Sequence, residues 1–266
     1  MDMNKKSMGI IEILIAALLF GFLPILVRRG ISFGVYNLTF FRVLASVLFL
    51  GLFFIFARRY TLVKFKYEKK KLVFFGAIHG FIMLGYFIAI QLLPVASAVL
   101  LLYSSSIWIV IFSYFILKER ITNKTLFALI IAFIGVIFVV SPRTFFIGES
   151  LIGSLAGLGA GIGFGLVYVL SKTFKKYDKV SLTFWQNIIA LPFLLPLIFI
   201  QKPTINTPNI LIVLALGIIT VFAFVLVFKG FEKVSGQTGG ILILFDIIFP
   251  VILALVFFKE IPSLNV

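Results

Sequence analysis

Long apolar runs alternate with short polar connections along the chain, and very few ionisable residues fall inside the runs. A helix needs about 20 consecutive apolar residues to cross the hydrocarbon core of a bilayer. Runs of that kind cover residues 8–27, 36–57, 72–92, 96–117, 123–141, 151–171, 180–200, 208–229 and 238–258. They predict nine transmembrane helices. Strands of a membrane barrel would be about 10 residues long with alternating polarity. An uninterrupted run suits a helix, which satisfies its backbone hydrogen bonds within its own segment. The first run follows Asn4-Lys5-Lys6 without a small-residue cleavage site, so it reads as a retained helix rather than a leader peptide. The connections are too short to carry a soluble domain.

Composition sharpens this picture. The chain is 62% hydrophobic and 12% charged, where a soluble domain is roughly 45–50% apolar and about 25% charged. That excludes a soluble enzyme and a disordered tail, and the absence of cysteine excludes a disulfide scaffold. The net charge of +15 raises the question of nucleic acid, and the positions of the charges answer it. With the N-terminus in the cytoplasm, 18 of the 24 Lys and Arg fall on inner segments and 5 on outer ones, with Arg42 inside a helix. This is a strong positive-inside bias. It faces an anionic leaflet and calls for no nucleic-acid partner. The expected location is the cytoplasmic membrane, multi-pass, with a cytoplasmic N-terminus.

The halves of the chain are alike. Phe40-Phe41-Arg42 matches Phe184-Trp185-Gln186 at an offset of 144, as do Gly21 with Gly165 and Ala17 with Gly161. Further on the offset becomes 141, pairing Gly76 with Gly217 and Lys118-Glu119 with Lys259-Glu260. Kept in order, these matches predict two copies of one unit, residues 1–145 with five helices and residues 146–266 with four. An odd number of helices in the first unit inverts the second. Inverted units are a recurring plan of secondary transporters, with the substrate site near the midplane between them.

These stretches resemble the EamA-type transporters of the drug/metabolite transporter superfamily. The resemblance rests on Leu19-Leu-Phe-Gly21, Phe41-Arg42, Gln91-Leu-Leu-Pro-Val-Ala-Ser-Ala98, Ser104-Ser-Ser-Ile-Trp108, Leu117-Lys-Glu-Arg-Ile-Thr122 and Asp246 through Phe258-Lys-Glu260. It implies an all-α membrane protein of two inverted five-helix repeats, of which a tenth helix is missing from this chain. In such relatives the tenth helix packs beside the fifth, away from the cargo. The chain departs from the family pattern at Ser106, where a proline is usual, and at Asp246-Ile247, where an acidic residue is usually followed by proline. The resemblance also implies the cargo, an amino acid or related metabolite, and favours export.

Ionisable groups inside a bilayer need a partner or a wet cavity; here they are Glu12, Arg42, His79 and Asp246. Asp246 falls near the middle of its run, and the offset of 141 sets it against Ser105, mid-run in the fourth. It reads as a carboxylate that meets an amine or a proton, or as a protonated acid bonded between helices. Leu101, Ser105, Trp108 and Phe112 share a helical stripe, so Trp108 reads as a cavity wall or as core; Tyr103 points away from that stripe. His79 shares a face with Gly76, Met83 and Tyr86, and serves as a proton relay or as an interhelical hydrogen-bond partner. A single histidine and no cysteine supply neither a metal site nor a hydrolytic triad. Arg42 clamps a carboxylate or snorkels outward, and Gln186 is its repeat mate. Glu12, one turn from the inner surface, is expected to be solvated, with proton coupling as the rival role. Gly153, Gly157, Gly161 and Gly165, together with Gly21, let backbones approach closely, for packing or for a sliding gate.

No P-loop pattern is present, and no cofactor is expected. The leading expectation is a secondary carrier of a small polar metabolite working by alternating access, not an enzyme. A proton-coupled exporter of cationic drugs and a non-transporting membrane subunit are the alternatives, and a homodimer would give the fifth helix a partner.

Overall fold

The computed structural model describes residues 3–29, 33–63, 65, 67–93, 95–140, 150–200, 202–203 and 206–258. Their regular structure is helical throughout. The helices are α1 (Met3–Arg29), α2 (Val35–Phe56), α3 (Lys69–Leu92), α4 (Val95–Tyr103), α5 (Ser105–Leu117), α6 (Asn123–Val140), α7 (Leu151–Thr173), α8 (Lys179–Leu194), α9 (Thr207–Lys233), α10 (Gly236–Leu242) and α11 (Phe245–Phe258). Among the described residues seven spans are long and apolar enough to cross a membrane: Asn4–Val27, Tyr36–Phe56, Lys69–Leu92, Ser97–Leu117, Leu151–Thr173, Lys179–Phe199 and Thr207–Lys233. The predicted run at 123–141 corresponds to α6, and that at 238–258 to α10 and α11 together.

Local chemistry starts the helices of the second half. Ser150, Asp178, Asn206 and Ser235 each accept a hydrogen bond from a backbone N–H of the first turn that follows, and Pro208 stands just inside α9. These groups satisfy donors that a helix start leaves free.

Two predicted runs are not single helices. Between α4 and α5 the Ser104 hydroxyl donates to Leu101 O at 2.6 Å, a side-chain bond that competes with the helical ladder. Between α10 and α11 the bonds tighten to the i−3 pattern, with Leu244 N on Ile241 O and Asp246 N on Ile243 O. The two breaks occupy matching places, since 141 residues separate Ser105, the first residue of α5, from Asp246, the second of α11. A third rod changes gait at its end, where α8 passes into a 3-10 turn over Leu195–Phe199 that includes Pro196.

The offsets read from the sequence reappear as reciprocal contacts. A methyl group on Gly76 of α3 would lie 2.5 Å from Ile189 Cβ of α8, and one on Gly217 of α9 would lie 2.7 Å from Ala45 Cβ of α2. Gly153 approaches Leu92 and Leu93, and Gly9 approaches Lys233 and Val234. Gly157 approaches Ala89, and Gly230 approaches Ile13. Each pair maps onto the other when 144 is added to its α1 or α2 member and 141 to its α3 member. At the level of helices, α1 on α9 is mirrored by α7 on α3, α2 on α9 by α8 on α3, and α1 on α11 by α7 on α5. This is the contact pattern of two repeats about a two-fold axis.

The α7 glycines work as packing positions. Gly161 packs on the Leu101 carbonyl and on Ser104 Oγ at the α4–α5 break, and a methyl on Gly165 would lie 2.6 Å from Trp108 Cβ and 3.1 Å from Ser105 O. Gly21 is buried on α1. Pro24 and Pro250 lie outside the residues with described side chains, and Glu260 outside the described residues. Gly161→Ala forces a methyl into backbone, and overpacking of this kind lowers stability by about 1–3 kcal/mol. Gly159→Ala meets nothing within 4 Å and is expected to hold or raise stability. Thermal unfolding of the two variants in detergent checks the contrast, which vanishes if the glycine face is not tightly packed.

Candidate functional site

Seven side chains from five helices form a cluster, some in direct contact and others within electrostatic range of one another. The Tyr103 hydroxyl, at the end of α4, donates to the backbone carbonyl of Asp246 in the first turn of α11 at 3.0 Å. Tyr86 of α3 lies within electrostatic range of Tyr103 and of Arg42 of α2. The guanidinium of Arg42 reaches Met83 Sδ at 3.1 Å and lies within electrostatic range of His79. The His79 ring stands edge-on to Phe164 of α7, centroids 6.4 Å apart, and to Phe224 of α9 at 5.2 Å. Phe164 stacks on Tyr168 at 5.8 Å, and Tyr168 lies within electrostatic range of Asp246. Tyr168 is itself braced by a parallel stack on Phe231 at 5.2 Å.

The polar atoms of this cluster are under-satisfied. Asp246 is 7% exposed and His79 is 1% exposed. Asp246 Oδ1, His79 Nδ1 and Arg42 Nε have no hydrogen-bond partner among the described residues. Each buried polar atom left in that condition costs about 1–3 kcal/mol, and more where it is charged. The cluster thus holds a carboxylate, a guanidinium and several aromatic rings.

The repeat relation extends the set. Gln186 is the mate of Arg42, and Thr220 is the mate of His79 at the 141 offset. Both are buried, and Gln186 Nε2 and Oε1 and Thr220 Oγ1 also lack described partners. Thr220 and Tyr168 were not among the residues singled out above. Signals for both existed in the sequence: the offset applied to His79 names Thr220, and Tyr168 follows Gly161 and Gly165 on one helical face. Tyr103 was expected to point away from the α4–α5 stripe. Leu101, Ser105 and Trp108 of that stripe lie against Gly157 and Gly165 of α7, whereas Tyr103 turns to Asp246 of α11.

The structure places the remaining candidates as follows. Ser105 is buried and Trp108 half-buried, both against Gly165 of α7, and Trp108 lies tilted on Phe112 at 6.0 Å. No described contact joins Ser105, Trp108 or Gln186 to the cluster. Glu12 is not solvated: it is buried and ion-paired with Lys233 at the end of α9, with Oε2 unpartnered. The reason is that Gly9 and Gly230 draw α1 and α9 together, which covers a position that depth alone would leave wet. Among the described residues no group of three or more His, Asp or Glu could hold a metal ion. An apolar cleft of about 250 Å³ between α5 and α6, lined by Ile107, Leu126, Leu129, Ile130 and Ile134, has nothing to offer a polar cargo.

Comparison with known proteins agrees with this architecture. The EamA-like transporter family matches residues 7–141 and, a second time, residues 151–266. The chain belongs to the EamA-like transporter family. An uncharacterized transporter of Archaeoglobus fulgidus is 31% identical over 173 residues, 64% of this chain and 61% of that protein. An uncharacterized transporter of Helicobacter pylori is 27% identical over 211 residues, 77% of this chain and 68% of its own. The pseudopaline exporter of Pseudomonas aeruginosa is 22% identical over 191 residues, 71% of this chain and 66% of that protein. This chain therefore spans about two thirds of these relatives or less. A solved crystal structure superposes with a TM-score of 0.82 at 20% identity, covering 99% of this chain and 91% of that one, which establishes the fold. The protein is a multi-pass membrane protein of a transporter family.

The bond from Tyr103 to Asp246 joins the two broken rods. Tyr103→Phe removes it and is expected to lower stability by about 1 kcal/mol, while Tyr114→Phe, at an exposed position, leaves stability unchanged. Thermal unfolding of the two purified variants reads the difference.

Proposed function

We propose that this protein is a secondary transporter that moves a small zwitterionic metabolite, an amino acid or a related compound, by alternating access. The observation that carries the reading is the cluster itself, with the buried Asp246 carboxylate and the half-buried Arg42 guanidinium in it and no ion pair between them among the described contacts. Charges held apart in hydrocarbon are unfavourable unless water or a ligand meets them. A zwitterion meets both: its ammonium turns to Asp246, framed by Tyr103 and Tyr168, where ring faces add cation–π attraction. Its carboxylate turns to Arg42.

The lysine and arginine bias supports a cytoplasmic N-terminus in the cell membrane. Export is the direction favoured by the name of the Pseudomonas relative. With no P-loop pattern in the chain, solute or proton gradients supply the drive.

A second reading, proton-coupled export of cationic drugs, draws on the same acid among tyrosines and uses Asp246 alone. Purified protein in liposomes, given a panel of zwitterionic amino acids and a panel of organic cations, separates the two. Loss of a charge-assisted contact is worth about tenfold or more in transport. The zwitterion reading expects that loss from both Asp246→Asn and Arg42→Gln. The drug reading expects it from Asp246→Asn only, with a cationic cargo and a pH gradient. Zwitterion transport that survives both changes sinks the proposal.

A further inference from the structure

The two ends of the bundle are held together by different forces. At the end where α5, α7 and α9 finish and α8 and α10 begin, charged and hydrogen-bonding groups join separate rods. The Glu119 carboxylate, just beyond α5, accepts from Lys172 Nζ of α7 at 3.1 Å and from the backbone N–H of Gly236 at 2.8 Å, the first residue of α10. Lys172 Nζ also donates to Val234 O, past the end of α9, at 2.7 Å. Gln237 of α10 donates to Arg120 O and accepts from Thr125 Oγ1 of α6. Four ion pairs are described, and all lie at this end: Glu119–Lys172, Lys179–Glu232, Glu12–Lys233 and, locally, Lys71–Glu68.

The opposite end lacks the equivalents wherever they are described. The repeat offsets carry Glu12 and Lys233 to Ala156 and Leu92, and Lys179 and Glu232 to Val35 and Gln91. Charge is thus replaced by uncharged residues in both cases. Arg28 and Glu260, the counterparts of Lys172 and Glu119, have no described side chains.

Resting on the carrier reading above, we propose that Glu119, Lys172 and the first backbone N–H groups of α10 form a reversible clasp that closes the basic end of the bundle while the carrier faces the other way. Its chemistry suits a contact that must open. Lys172 and Glu119 are 14% and 21% exposed, so water replaces their protein partners at small net cost. The geometry is set by a left-handed residue, Lys118 (φ 57°), after which Glu119 N closes on Ser113 O at 3.2 Å. Beneath the clasp, Ser113 is fully buried with its hydroxyl unpartnered, and Gly236 sits so close to it that no Cβ fits between them. Ser113 is therefore sealed only while α10 stays clamped to α5.

The chain contains no cysteine, so single probes are clean. In lipid nanodiscs, a membrane-impermeant maleimide is expected to label Ser113→Cys slowly in the parent, and about tenfold faster when Lys172→Met or Glu119→Gln is added, as the open population grows. Lys172→Arg keeps the charge and the donors and is expected to label at the parent rate. Val213→Cys, in a separate apolar cluster with Phe33, Leu38 and Leu216, is expected to stay slow in every background. Labelling of Ser113→Cys that Lys172→Met leaves unchanged overturns the clasp. So does an equal rise with Lys172→Arg, or a parallel rise at Val213→Cys, which reports general loosening. Labelling needs no cargo: faster labelling without transport in liposomes removes the carrier reading, whereas unchanged labelling in a transporting protein removes the clasp alone.

Discussion

Lipid offers no hydrogen bonds, and the arrangement of this protein follows from that. Every backbone amide in the spans must be satisfied within its own rod, so the chain folds as helices joined by short connections. The same constraint acts on side chains. A polar group that cannot reach the surface must find another helix, water or a cargo. Glu12 finds Lys233, and Ser46 finds the Gly217 carbonyl at 3.0 Å. Asp246, Arg42, His79, Gln186 and Thr220 keep atoms with no described partner.

Close backbone approach makes the cluster possible. Because lipid tails are as apolar as leucine, helices gain by fitting together rather than by leaving water. Glycine on α7 lets that rod sink onto the α4–α5 break, and Tyr103 at the end of α4 bonds to the start of α11. Glycine on α3 and α9 does the same for α8 and α2. The positions that carry packing and the positions that carry polarity are therefore neighbours along the same helices, and a shift in one moves the other.

The pseudo-symmetry is close in packing and poor in charge. Reciprocal glycine contacts repeat almost residue for residue, whereas the ion pairs of the basic end map onto Ala156 with Leu92 and onto Val35 with Gln91. Apolar packing tolerates duplication because either copy faces the same lipid. Charge does not, since the two ends of an inverted pair face different leaflets.

Helical class, run boundaries, repeat offsets and family were legible in the sequence, because each depends on hydrophobic period and order along the chain. Asp246, Arg42 and His79 were legible too, as ionisable groups stand out against lipid. Only the tertiary structure decided that Tyr103, away from the side of its helix that meets α7, finds Asp246 of α11. Burial of Glu12 by a glycine approach from α9 was equally a matter of the fold. Depth along one helix says nothing of what a second helix lays across it. Sequence determines which groups need partners; the crossing of the rods determines which partners they meet.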